Sequence, residues 1–206
     1  MSVSEQVLNR VHRMRRGEPF PIRGFYPLGS HTSVQKALSR LVKKGEVVRA
    51  SKGFYVRPKP LPSLPSIKTT TSAEQIAKAW ARERGYKLVN QGQDAAYRLG
   101  FQTQAPMKTV FWSDGPSREF KVGHQVVEIR HTSKQKLRWP KKPEGILLRG
   151  MLVTPPEAVE PEDLKKAVQR LALTPDQTQD IVGKLLTFPM LNKWTSNLIT
   201  LKELAK

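Results

Sequence analysis

The chain has no cysteine among its 206 residues. That absence excludes disulfides, thiolate zinc sites and cysteine nucleophiles together, and it fits a reducing compartment. Long hydrophobic runs are missing too, since the apolar stretches fall far short of the ~20 residues of a membrane-crossing helix. Met1-Ser2-Val3-Ser4-Glu5 lacks the apolar core of a signal peptide. A cytoplasmic protein without a membrane partner is therefore expected. Internal repeats are lacking, and acids are scarce: 17 Asp and Glu stand against 36 Lys and Arg, a net charge of +19. Such an excess favours a polyanionic partner, nucleic acid ahead of anionic membrane. It is also concentrated. Residues 1–60 hold 13 Lys and Arg against Glu5, Glu18 and Glu46, a net +10, which points to a localised nucleic-acid module.

What is present begins with Ser30–Gly45. Val34, Ala37, Leu38, Leu41 and Val42 recur at the spacing of one helix face. The opposite face carries Thr32, Ser33, Lys36, Ser39, Arg40 and Lys43, with no acid among them. Ser30 or Thr32 caps this helix and Gly45 stops it. Ahead of it, Ser4 is expected to cap a helix with Val7, Leu8, Val11 and Met14 as its stripe. Phe20–Tyr26 is expected to form a short second helix, begun at Pro21 and closed by Pro27. After it, Glu46–Ala50 and Phe54–Arg57 flank Ser51-Lys52-Gly53, a hairpin pattern of β-branched and aromatic runs around turn residues. Three helices and a hairpin predict a winged helix-turn-helix over 1–57. Pro58–Ser66, with four prolines in nine residues, reads as an extended linker.

Residues 67–206 read as a second, mixed domain. Ser72-Ala73-Glu74-Gln75 is a capping box opening a helix that Gly85 closes. Lys87–Val89 is a strand and Asp94–Gly100 a short helix. Thr109–Ser113, Arg118–Val122 and Gln125–His131 predict a small antiparallel meander. Helices follow over Glu144–Met151, from Glu160 through Leu171, from Thr174 through Leu186, and over Met190–Leu204. The fold class expected is α+β.

The run Ala37-Leu38-Ser39-Arg40-Leu41-Val42-Lys43-Lys44-Gly45, followed by Gly53-Phe54-Tyr55, resembles the AbiEi antitoxin family. It is most similar to the branch of these type IV toxin–antitoxin regulators described as a domain of unknown function. The resemblance continues through Ala95-Ala96-Tyr97-Arg98-Leu99-Gly100, Asp114-Gly115-Pro116-Ser117-Arg118, Val122-Gly123 and Val127-Glu128-Ile129-Arg130-His131, over about residues 4–190. It implies a winged helix that binds inverted repeats in double-stranded DNA upstream of its own operon and represses it. It also implies a C-terminal domain acting as antitoxin against a nucleotidyltransferase-like toxin, and no enzymatic activity. His31 stands where family members often carry Arg.

Candidate DNA contacts follow from the polar helix face. Thr32, Ser33 and Lys36 lie in its N-terminal half, which reaches base edges in a recognition helix. Gln35 could pair with adenine, Ser39 lies on the same face, and Arg40 and Lys43 suit phosphates. Arg49, Lys52 and Arg57 are the basic positions of the wing. Against all of them stands the plain alternative of a solvated helix face. Phe54 and Tyr55 fit either base stacking or core packing, core packing being the commoner role. Arg130, Lys134, Lys136, Arg138, Lys141 and Lys142 make a second basic patch, suited to DNA flanks, a toxin or its RNA target. An RNA-binding protein that masks that target is the alternative function. A Mg²⁺-dependent nuclease built on Asp114, Glu119 and Lys121 is a further one, though five residues between the acids is poor spacing. His124 and His131 lack a third ligand, so no metal and no cofactor are expected. Trp112, Trp139 and Trp194 read as core or interface anchors.

Overall fold

The computed structural model describes residues 1–60 and 71–205, with the backbone at 68 and 69. In chain order the elements are α1 Val3–Arg13, β1 Pro19–Pro21, a 3-10 helix Ile22–Leu28, α2 His31–Lys43, β2 Val48–Ser51 and β3 Phe54–Val56. Then come β4 Lys59–Pro60, β5 Lys68–Thr69, α3 Ala73–Arg84, β6 Leu88–Asn90, α4 Gly92–Leu99, β7 Thr109–Ser113, β8 Arg118–Val122 and β9 Gln125–His131. The last stretch holds α5 Pro143–Met151, a 3-10 turn Pro156–Ala158, α6 Pro161–Arg170, α7 Pro175–Leu186, a 3-10 helix Pro189–Trp194 and α8 Thr195–Leu204. The fold is α+β. Among the described residues no helix is long and apolar enough to cross a membrane.

Two compact units emerge, 1–86 with 118–128, and 87–117 with 129–206. Of the expected linker at 58–66, residues 61–66 lie outside the described residues, while Lys59 pairs with Thr69 and Pro60 with Lys68. The first unit takes in α3 and β8 as well as residues 1–57. Its aromatic packing explains why: Phe54 of the hairpin meets Phe120 of β8 edge-on at 6.3 Å, and Phe120 lies 5.8 Å from Trp80 of α3. Burying such rings is worth roughly 1.5–3 kcal/mol each.

The N-terminal elements correct two local expectations. Ser2, rather than Ser4, caps α1, because Ser2 and Glu5 form a reciprocal capping box at the first turn. Phe20 and Pro21 belong to a strand, not to a helix: β1 pairs antiparallel with β3, setting Phe20 opposite Tyr55. Burial of Phe20 against Phe25 and Tyr55 outweighs the local helix signal, and proline is tolerated because β1 is an edge strand. What remains of the second helix is the 3-10 turn, whose Ile22 N–H is held by the Gly53 carbonyl at 2.9 Å. The hairpin forms as expected, β3 lying between β1 and β2, with an irregularity between Arg49 and Ser51. Gly53 at its tip has φ +80°, a conformation costly for any residue with a Cβ. Beneath the sheet, Val7, Val11, Phe25, Val34, Leu38, Leu41 and Val47 form the core.

In the second unit β6 and β7 pair antiparallel, Val89 opposite Trp112. The strands do not follow chain order as a meander would, for within this unit the end of β9, residues 129–131, lies beside β7. Thr132 N–H donates to the Ser113 carbonyl at 2.8 Å and His131 N–H to Ser117 Oγ at 2.9 Å, so β7 and β9 end side by side. The Asp114–Ser117 turn thereby carries the chain out of β7 without closing a hairpin. Helices α4 to α8 pack around Leu99, Leu147, Leu148, Met151, Leu164, Ile181 and Leu198. Trp194 is buried there, its indole N–H donating to the Met151 carbonyl at 2.9 Å. Helices α4 and α5 touch backbone to side chain: a Cβ at Gly150 would lie 2.4 Å from Leu99 Cδ1, closer than packing allows.

Candidate functional site

Helix α2 begins with Ser30, whose side chain accepts from the Ser33 backbone N–H at 3.2 Å and donates to Ser33 Oγ at 2.9 Å. With Val34, Ala37, Leu38 and Leu41 turned inward, geometry leaves Thr32, Lys36, Ser39 and Lys43 as an outer stripe. All four are exposed. One edge of the stripe faces the hairpin. There Gln35, Ser39 and Val42 share an open groove of about 550 Å³ with Arg49, Lys52 and Tyr55. The other edge faces α1, where Arg40 Nη1 donates to Ser4 Oγ at 3.3 Å. His31 stacks on Tyr26 with centroids 3.7 Å apart.

The wing positions separate. Arg49 and Lys52 are exposed beside α2. Arg57 is turned away from it: its Nη1 donates to the carbonyls of His12 at 2.7 Å and Met14 at 3.5 Å, ordering the end of α1. Phe54 and Tyr55 are both buried and serve the core. The acids of this segment are occupied locally. Glu5 closes the α1 capping box, Glu18 pairs with Arg15 at 3.1 Å, and Glu46 meets His12 at 3.1 Å. On the hairpin side the α2 stripe and its flanking cations Arg49 and Lys52 therefore present positive charge in a groove with no acid in its lining, whereas on the α1 side Glu5 shares a groove with Arg40 and Lys43.

The second basic patch is held differently. Lys136 Nζ sits 5.4 Å above the Trp112 ring, and the Arg138 guanidinium lies 5.0 Å from Trp139 and 5.8 Å from Phe188. Lys142 is the N-cap residue of α5. Arg130, Lys134 and Lys141 are exposed. Asp114 Oδ1 accepts from the Lys87 backbone N–H at 2.8 Å, which is turn chemistry, while Glu119 and Lys121 are exposed on β8. His131 Nδ1 lies 3.0 Å from the Gly115 carbonyl, and His124 is exposed at the β8–β9 turn. Among the described residues no three His, Asp or Glu side chains are grouped to hold a metal ion.

One charged residue carries no clear signal in the sequence. Arg149 is 3% exposed in α5, and burial lowers its guanidinium pKa to about 10. The only hint is a lone arginine in the run Gly145-Ile146-Leu147-Leu148-Arg149-Gly150-Met151. Glu144, also buried, is paired with Lys184 at 3.2 Å, and the hydrogen bonds of Lys184 to Asp180 and then to Glu144 raise the lysine pKa.

The chain belongs to a family of unknown function, DUF6088, which matches residues 6–181. No curated protein matches it. Among solved structures it is similar to the crystal structure of the RV2827C protein from Mycobacterium tuberculosis, at 12% identity and a TM-score of 0.45, with 97% of this chain and 76% of that one covered.

Proposed function

We propose that residues 1–57 act as a winged helix that docks α2 in the major groove of double-stranded DNA. In this reading β2 and β3 are the wing, and the protein represses its own operon from an inverted repeat. The observation that carries it is the outer stripe of α2, Thr32, Lys36, Ser39 and Lys43, flanked on the hairpin side by Arg49 and Lys52 in a groove with no acid in its lining. Thr32, Ser33, Gln35 and Lys36 then contact base edges, while Ser39, Arg40, Lys43, Arg49 and Lys52 hold phosphates. Arg57 serves by supporting α1. Two copies per operator are required, since one such helix spans a half-site.

The remainder of the chain acts as an antitoxin toward a nucleotidyltransferase-like toxin, in line with the AbiEi resemblance, and performs no catalysis. A gel-shift titration against the DNA upstream of the gene tests the reading. Replacing Lys36 and Arg40 with Ala should weaken binding and reduce the salt slope by about 0.9 for each phosphate no longer neutralised. Unchanged affinity and slope would end it.

A second reading has its own observation. Trp112 under Lys136 and Trp139 under Arg138 form cation–aromatic pairs of the kind that bind single-stranded RNA. In that reading the protein masks the toxin's RNA target. Competition between operator DNA and tRNA separates the two: DNA retained in tRNA excess favours the repressor, and its displacement favours RNA binding.

A further inference from the structure

Arg149 carries a charge that its own surroundings do not answer. A guanidinium has five N–H donors. Here Nη1 donates to the Arg138 carbonyl at 3.3 Å, whereas Nε is buried with no hydrogen-bond partner. Burial is what lowers its pKa to about 10, so the group is still fully charged at neutral pH. An unpaired cation of this kind is unfavourable unless an anion joins it.

The residue lines a cleft of about 160 Å³ in the second unit, walled by β6, α4 and α5, in which Leu88, Val89, Ala95 and Ile146 are the apolar side chains from these elements. Arg98 and Lys141 line the same cleft. Its acid, Asp94, is already engaged: Oδ2 accepts from Asn90 Nδ2 at 2.7 Å and from Arg98 Nε at 2.7 Å. Three cations against one carboxylate leave two positive charges.

We infer that this cleft is a binding site for a phosphoryl group, with Arg149 as its buried anchor and Arg98 and Lys141 at its rim. Charge selects the ligand class. A phosphate carries about −1.5 to −2 at neutral pH, which balances the cleft, whereas one carboxylate leaves a positive charge over. Arginine's planar fork suits two phosphate oxygens at once. Size limits what fits, since sites for drug-sized ligands run to ~300–1,000 Å³. The cleft accommodates the phosphoryl group, leaving any attached sugar and base outside. Free phosphate and the terminal phosphate of a nucleic acid share this chemistry. The site stands independently of the DNA-binding role of α2.

The test uses the full chain at constant ionic strength, with inorganic phosphate as probe and chloride as control. Phosphate should bind saturably by calorimetry and raise Tm by about 5–10 °C at a hundredfold excess over Kd. Chloride should not. Lys141→Ala, at an exposed position, should weaken phosphate binding at least about tenfold, and Arg149→Met should abolish it. If Arg149→Met does not fold, Lys141→Ala still decides the matter. A 5′-phosphorylated dinucleotide compared with its unphosphorylated counterpart identifies the source. Tighter binding of the phosphorylated form than of inorganic phosphate supports a nucleic-acid end, and the reverse supports the free ion. Absence of saturable phosphate binding, or equal binding by wild type and Lys141→Ala, overturns the proposal.

Discussion

In α2 the cations Lys36, Arg40 and Lys43 stand in water while Val34, Ala37, Leu38 and Leu41 fill the core. In α5 seven of nine residues are buried, so the helix has no polar face, and Glu144 and Arg149 are carried inside with the leucines. Both helices are held by the same apolar burial, but they differ in what a charge can do. On α2 water solvates each cation at little cost, and the charge remains available to an external polyanion. On α5 solvation has been removed, so each charge needs a partner within reach. Glu144 has Lys184, and Arg149 has one carbonyl and a cleft. An exposed cationic stripe thus suits a large partner met transiently, and a buried cation suits a small anion held closely.

The strongest challenge to this contrast is to empty the two cores. Leu38 in α2 and Leu148 in α5 are both fully buried, so Leu38→Ala and Leu148→Ala should each cost about 3–5 kcal/mol in urea denaturation. A loss below about 1 kcal/mol in either would show that its helix is not anchored as described. Arg149→Met should act in the opposite sense. The lowered pKa means that the charged form costs the folded state at neutral pH, relieved only as pH rises through about 10. Removing the charge while keeping bulk should leave stability unchanged or raise it by about 1–2 kcal/mol in phosphate-free buffer. Ser30→Ala should cost about 1 kcal/mol, since it removes the α2 cap. The smallest effect on stability belongs to Lys36→Ala, which should not move the urea midpoint while it weakens binding to operator DNA. A stability loss there would mean that the α2 stripe is structural.

Much of α2 is legible in the sequence because its signals are local. Ser30, the Val34–Leu41 spacing and Gly45 act within a few residues of one another, and they give the cap, the stripe and the stop. The caps at Ser72 and Thr174 are legible for the same reason. Phe20-Pro21 misleads because its strand exists only through pairing with β3, which lies far along the chain. Arg57 has the composition of a wing contact, yet the carbonyls at the end of α1 claim it, and nothing local announces them. In α5 the apolar spacing marks a helix but not the side from which it is covered. Whether Arg149 points to solvent or to a cleft is therefore not legible.

By itself the sequence determined the charge gradient, the absence of cysteine chemistry, and the helices whose caps and stripes lie within a few turns. Those properties depend on composition and on neighbours along the chain. Tertiary structure alone decided the β1 strand, the placing of β9 beside β7, the diversion of Arg57 and the burial of Arg149. Each depends on residues far apart in sequence coming together, and burial then sets whether a charge is solvated, paired or left to bind.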